Sequence, residues 1–223
     1  MDRPQLVRRA VAEALGTGLL VLAVVGSGIM AQRLSPDDAG LQLLENAAAT
    51  GAALVGLILI FGTLSGAHFN PAVTLVARLQ RTISTPDAMI HVGAQIVGGC
   101  AGAVLANVMF ELPALELSTQ VRSSGALWLS EVVATAGLLL VIFGCIRTER
   151  TAAVPYAVGL WIAGAYWFTS STSFANPAVT IARALTDSFA GIDPSSVPMF
   201  VVMQLVGVLL AVPLIHFLYP TRS

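Results

Sequence analysis

Long apolar runs alternate along this chain with short polar or glycine-rich interruptions. Runs of roughly 20 apolar residues are long enough, as helices, to cross a bilayer. Six are present, at about 7–31, 43–65, 88–110, 125–146, 153–170 and 197–219. Two further runs, about 70–79 and 176–186, are half as long. Such a run reaches only about 15 Å as a helix, half of the hydrocarbon thickness. Each opens on the same tripeptide, Asn70-Pro71-Ala72 and Asn176-Pro177-Ala178. Asparagine is a favoured N-cap, and proline at the first helical position gives up only an N–H that has no helical partner. Both tripeptides therefore read as starts of half-length helices that enter the membrane without crossing it.

The features recur in the same order in both halves of the chain. A glutamate lies in the first long run of each, Glu13 in AEALGTGLLVL and Glu131 in SEVVATAGLLL. A half-length run follows the second long run, and a glutamine lies in the third, Gln95 in AQIVGG and Gln204 in MQLVGV. Three spans per half place the second half in the membrane from the opposite side, an inverted repeat of the kind used by transport proteins. The predicted fold is all-α and membrane-embedded: six transmembrane helices plus two re-entrant half-helices in one domain, 1–223, with repeat halves of about 1–115 and 116–223.

Composition agrees. Apolar residues make up 56% of the chain and charged residues 10%, against about 25% charged in soluble domains. All eleven basic residues are arginine. With the N-terminus inside, Arg3, Arg8, Arg9, Arg78, Arg81, Arg147, Arg150 and Arg222 fall on the cytoplasmic face and Arg33, Arg122 and Arg183 on the outer one. The positive-inside rule then puts both termini in the cytoplasm, across a cell (inner) membrane. The opening MDRPQLVRRA and its apolar run resemble a signal peptide, but the run is long, contains Glu13 and lacks a small-x-small cleavage site; it reads as a retained helix. Cys100 and Cys145 lie in apolar segments and read as small buried hydrophobes.

Non-helical backbone at membrane depth must be buried in protein or line water. Residues 65–69 and 170–175 are such backbone, and their free carbonyls are expected to line a path. Asn70 and Asn176 are placed to donate N–H groups to a passing solute. The half-helix N-termini carry partial positive charge toward the midplane, a field that opposes cations and protons but not neutral molecules. Glu13 and Glu131 are costly in a bilayer. Their expected role is to accept N–H bonds from the irregular loops; a proton relay is the other reading and suits an ion-coupled transporter. His68 is expected to orient the first loop, and His91 and His216 to pack near helix ends. Ser65 with His68 lacks the third group of a hydrolase triad. No metal-ligand cluster or GxSxG elbow occurs, so no enzyme activity, metal or cofactor is expected, and the partners are the lipid bilayer and solutes, not nucleic acid.

SGAHFNPAVT at 65–74, the second Asn-Pro-Ala at 176–178, the two glutamates and the six-plus-two layout together resemble the aquaporin, or major intrinsic protein, family over about 6–219. The resemblance implies a homotetramer with one pore per protomer, passing water or small neutral solutes passively. It implies a carbonyl ladder from Gly66, Ala67 and His68 and from Thr172, Ser173 and Phe174. It also implies a four-position selectivity filter. Family spacing puts three of these at Thr50, Ser173 and Val179; the fifth-helix position is Gly164 counting from Asn176, or Tyr166 counting from Gly159, and Tyr166 is favoured because gaps fall in loops more readily than in helices. The water channels of the family usually have phenylalanine at the Thr50 position, and the family almost always has arginine at the Val179 position. Their loss removes bulk, a positive charge and five N–H donors, which predicts a widened filter. Arg183, at i+4 from Val179, is a turn further along the same face. TSSTSFANPAVTIARALTDSFAGI resembles bacterial family members associated with arsenic-resistance genes. The expected solutes are glycerol-like polyols, arsenite and water; a water-selective channel narrowed by Tyr166 and an ion-coupled secondary transporter are the alternatives.

Overall fold

The computed structural model describes residues 3–220; Arg222, one of the arginines used to orient the chain, lies outside them. The elements are α1 (Arg3–Leu34), α2 (Ala39–Ser65), α3 (Pro71–Leu79), α4 (Thr85–Met109), α5 (Gly125–Arg147), a 3-10 turn (Thr151–Ala153), α6 (Val154–Phe168), α7 (Pro177–Arg183) and α8 (Val197–Leu218). Polar side chains close the starts of α2, α4 and α5. Asp38 accepts from Leu41 N at 2.8 Å, Ser84 from Asp87 N at 3.2 Å and Ser124 from Leu127 N at 3.3 Å. Proline occupies the first turn of α3, α4, α6, α7 and α8.

The architecture is the aquaporin-like one, six long elements around two half-helices. Among the described residues, five helices are long and apolar enough to cross a membrane. The expected span at 153–170 is shorter than the others, with 15 residues in α6. Its helix stops at Phe168 because the chain turns extended at Thr169 (ψ 137°) to enter the second irregular loop. The half-helix expected over 176–186 likewise ends at Arg183. There the Ala184 and Leu185 carbonyls accept instead from Ser118 N and Glu116 N, in the segment between α4 and α5.

Helix packing maps onto itself when α1–α4 are exchanged with α5–α8. α1 packs on α4 as α5 packs on α8; α1 on α2 as α5 on α6; α4 on α7 as α8 on α3. The two self-matched pairs, α2 with α6 and α3 with α7, meet at the centre. Large apolar side chains such as Leu160, Leu209 and Phe217 are 70–81% exposed on the outer surface, as a lipid-facing surface requires. Cys100 and Cys145 are half-buried rather than buried, and free.

Small residues set how closely α1 and α4 approach. A Cβ on Gly98 would lie 2.0 Å from the Ala14 carbonyl oxygen, and one on Gly102 2.1 Å from that of Gly18. The counterpart in the other half, Gly207, leaves 2.9 Å to the Val132 carbonyl oxygen. Backbone-to-backbone approach of this kind is how membrane helices gain van der Waals contact without a hydrophobic driving force. Gly98→Val should therefore separate α1 from α4 and destabilise the protein by about 3 kcal/mol or more, read as a lowered Tm in detergent. Gly93→Ala, where no atom lies within 4 Å of the added Cβ, should leave Tm unchanged or raise it.

Candidate functional site

The two half-helices meet N-terminus to N-terminus through their asparagines. Asn70 Nδ2 donates to the Ala175 carbonyl at 2.7 Å, and Asn176 Nδ2 donates to the Phe69 carbonyl at 2.7 Å. Each asparagine also caps its own helix: Asn70 Oδ1 accepts from Ala72 N at 2.8 Å, and Asn176 Oδ1 from Ala178 N at 3.0 Å and Val179 N at 3.2 Å. One amide hydrogen of each Asn is thus used across the join, leaving one for the cavity both residues line. Pro71, Ala72, Pro177 and Ala178 start the helices and do not line it.

The loops leading to the asparagines share an unusual backbone. Gly66, Ala67 and Phe69 have φ of 92°, 47° and 49°, and Thr172, Ser173 and Ala175 have φ of 61°, 52° and 48°. Left-handed conformations cost non-glycine residues of order 1–2 kcal/mol each, and Thr172 is β-branched, which makes it a stronger outlier. The buried carboxylates oppose this cost. Glu13 accepts from His68 N at 3.0 Å, Phe69 N at 2.7 Å, Ser65 Oγ at 2.5 Å and Gln95 Nε2 at 2.7 Å. Glu131 accepts from Phe174 N at 3.0 Å, Ala175 N at 2.9 Å and Gln204 Nε2 at 2.6 Å. These bonds occupy the loop N–H groups of His68, Phe69, Phe174 and Ala175.

Two residues of this support were missed from sequence. Gln95 Nε2 also donates to Thr74 Oγ1 at 2.9 Å, and Gln204 Nε2 to Thr180 Oγ1 at 2.8 Å. Each threonine ties its half-helix to the glutamine that orients the glutamate. The signal was present, since both Asn-Pro-Ala tripeptides continue with Val-Thr. His68 Nδ1 lies 3.1 Å from Thr74 Oγ1. His91, expected near a helix end, is fully buried with its ring edge-to-face with His68 at 5.5 Å. Ser65 and His68 do not bond to each other: Ser65 serves Glu13 and Ala67 N.

A cavity of about 280 Å³ runs past the asparagines. Its lining includes Gln80 and Thr82 beyond the C-terminal end of α3, and Arg183 at the C-terminal end of α7. Because the N-terminal ends of these helices abut, the cavity runs alongside both half-helices to their distal ends. Apolar side chains such as Leu54, Ile58, Leu138 and Ile142 line it together with residues 66–70 and 173–176. Thr172 is not part of the lining.

At the Arg183 end, Thr50 Oγ1 and Tyr166 OH are 3.2 Å apart, both on the cavity with Ser173 and Val179. The Ser173 hydroxyl has no protein partner among the described residues. Gly164 is corrected as a candidate: it is exposed on the outer side of α6 and does not line the cavity. Two residues turn a helix by about 200°, so Gly164 and Tyr166 face opposite ways. Near this end Arg122 braces the segment after α7, donating from Nε to Gly191 O at 2.9 Å and from its amino group to Phe189 O at 3.3 Å. Burial pushes the Arg122 guanidinium below the ordinary arginine value, against the opposing pull of Glu131 and Tyr166.

The family model described as "Major intrinsic protein" matches residues 1–172 and 149–223. The chain belongs to the major intrinsic protein family. It is 55% identical over 218 residues to aquaglyceroporin AqpS of Rhizobium meliloti (strain 1021), covering 98% of this chain and 93% of that protein. It is 31% identical over 194 residues to a probable TIP-type aquaporin of Medicago truncatula, covering 82% and 76%. The crystal structure of the aquaglyceroporin from Plasmodium falciparum superposes with a TM-score of 0.72 at 23% identity, covering 97% of this chain and 96% of that one, a match of fold. Within this major intrinsic protein, the carboxylate supports are the part of the site most open to measurement. Glu13→Gln should cost about 3 kcal/mol and Glu131→Gln about 2, since a neutral amide replaces a charged acceptor of four and three donors respectively. Thr180→Val should cost about 1 kcal/mol. Thermal unfolding in detergent should rank the variants in that order.

Proposed function

We propose that the chain is a passive channel, and not an enzyme, for water and small neutral solutes such as glycerol-like polyols and arsenite. The observation that carries this reading is the cavity of about 280 Å³ that reaches the distal ends of both half-helices and is lined by apolar side chains together with the two loops. Such a lining offers a few hydrogen bonds to hydroxyl-bearing solutes within an otherwise apolar wall. Of the candidate coupling groups, the carboxylates Glu13 and Glu131 are fully buried and engaged by three or more donors each, which supports a channel over a coupled transporter.

The proposed filter is Thr50, Tyr166, Ser173 and Val179. Gly66, Ala67 and His68 in one loop and Ser173 and Phe174 in the other present the proposed carbonyl ladder, with Asn70 and Asn176 between them. Small side chains at 50 and 179 leave this end wide and support passage of solutes larger than water. The 3.2 Å contact between Thr50 and Tyr166 favours the second reading, a filter closed down to water. The proposed assembly is a homotetramer of single-domain protomers, halves about 1–115 and 116–223, in the cell membrane with both termini cytoplasmic. The name of the Rhizobium meliloti relative, an aquaglyceroporin, points to the same solute class.

Proteoliposomes should shrink and reswell rapidly in gradients of water, glycerol and arsenous acid without any proton or sodium gradient. Passage of water alone would establish the second reading, and flux that needs an ion gradient would remove the channel. Val179→Arg should slow glycerol about tenfold or more, and water by less than about threefold, since a guanidinium adds bulk that a single water can pass.

A further inference from the structure

Val179 leaves its end of the cavity without a charge on that residue, yet a buried guanidinium lines the same cavity one turn away. Arg183 is 2% exposed and is among the cavity-lining residues. Residues at i and i+4 share a helix face, so Arg183 follows Val179 along the pore side of α7. Its Nε donates to the Ala190 carbonyl, and its guanidinium carbon stands 3.4 Å from the centroid of the Phe174 ring. The ring is fixed in turn: Phe174 N is bound by Glu131 at 3.0 Å, Phe200 packs on its edge at 5.1 Å, and Arg122 stands 5.2 Å from its centroid. Among the described residues Arg183 has no carboxylate partner, and its terminal amino groups have no protein acceptor.

We propose that Arg183, set over the Phe174 ring, is the pore's charge-selecting residue: its terminal N–H groups bind the oxygens of neutral hydroxylated or carbonyl solutes, and its charge excludes cations. Stacking on an aromatic face satisfies the guanidinium plane without neutralising it, and the in-plane donors stay available. A unit charge at the wall of a narrow, weakly screened cavity acts far more strongly than at a protein surface. Phe174 is a positioning residue. It acts through Arg183 and couples the guanidinium to the loop that Glu131 holds.

This inference rests on the channel reading, and urea and guanidinium separate the two. They are planar and of nearly equal size, one neutral and one a cation. In proteoliposomes the parent protein should pass urea and hold back guanidinium. Arg183→Met, which keeps length and removes charge, should raise the guanidinium-to-urea flux ratio about tenfold or more. Arg183→Lys, which keeps charge, should hold the ratio within about threefold of the parent, a rescue that a purely structural arginine would not give. Should Arg183→Met not fold, Phe174→Leu removes the ring beneath the guanidinium without removing a side-chain hydrogen bond, and should raise the ratio about threefold or more. A folded, water-permeable Arg183→Met or Phe174→Leu protein with the parent's ratio overturns the proposal while leaving the channel intact. A parent that passes water but no urea overturns the proposal and leaves the water-only channel standing; a parent that passes neither overturns both.

Discussion

Backbone that leaves its helix at membrane depth has no water to bond, so its N–H and C=O groups must find partners inside the protein. Everything at the centre of this structure answers that constraint. Glu13 and Glu131 collect N–H groups of the two irregular loops. The asparagines answer it a second time, each capping its own half-helix and binding the last carbonyl of the opposite loop. Neither half-helix is complete without the other.

The same constraint explains why the backbone tolerates left-handed residues that are not glycine. Five of the six loop positions with positive φ carry a side chain. Hydrogen bonds to charged acceptors contribute about 1.5–3 kcal/mol each, comparable with the strain at each position. The glutamates are held in turn by Gln95 and Gln204, and these by Thr74 and Thr180 on the half-helices. A closed circuit of buried polar groups results in each half, with glycine contacts at Gly98 and Gly207 bringing the helices close enough to complete it.

The two halves match in their support and differ where the cavity ends. Beyond α3 the lining is Gln80 and Thr82; beyond α7 it is Arg183, with Thr50 and Tyr166 opposite. The loops after α7 and between α4 and α5 pair with each other there, through Ser118, Glu116 and Asp193 backbone bonds and the Arg122 side chain. One end of the cavity is thus framed by two irregular segments, which allows side-chain placement to differ between the halves while the central support stays the same.

Local chemistry was enough to read the element order, the paired half-helix starts, the carboxylates and the recurrence of Gln95 and Gln204. Long apolar runs, Asn-Pro at helix starts and acids at membrane depth each have few physical solutions, and those solutions are visible residue by residue. Other features depended on rotation and depth, which are set by the neighbouring helices. Gly164 and Tyr166 were indistinguishable by spacing, but α6 turns only Tyr166 inward. His91 looked peripheral by position, yet α4 buries it against His68. The threonines of the repeated Asn-Pro-Ala-Val-Thr had no assigned partner until the glutamines were brought over them. Spacing put Arg183 on the Val179 face, but only tertiary packing set it over Phe174. The sequence by itself determined which groups had to be satisfied in the membrane; the tertiary structure decided which of them face the cavity, because only the packing of helices on one another fixes the direction in which each side chain points.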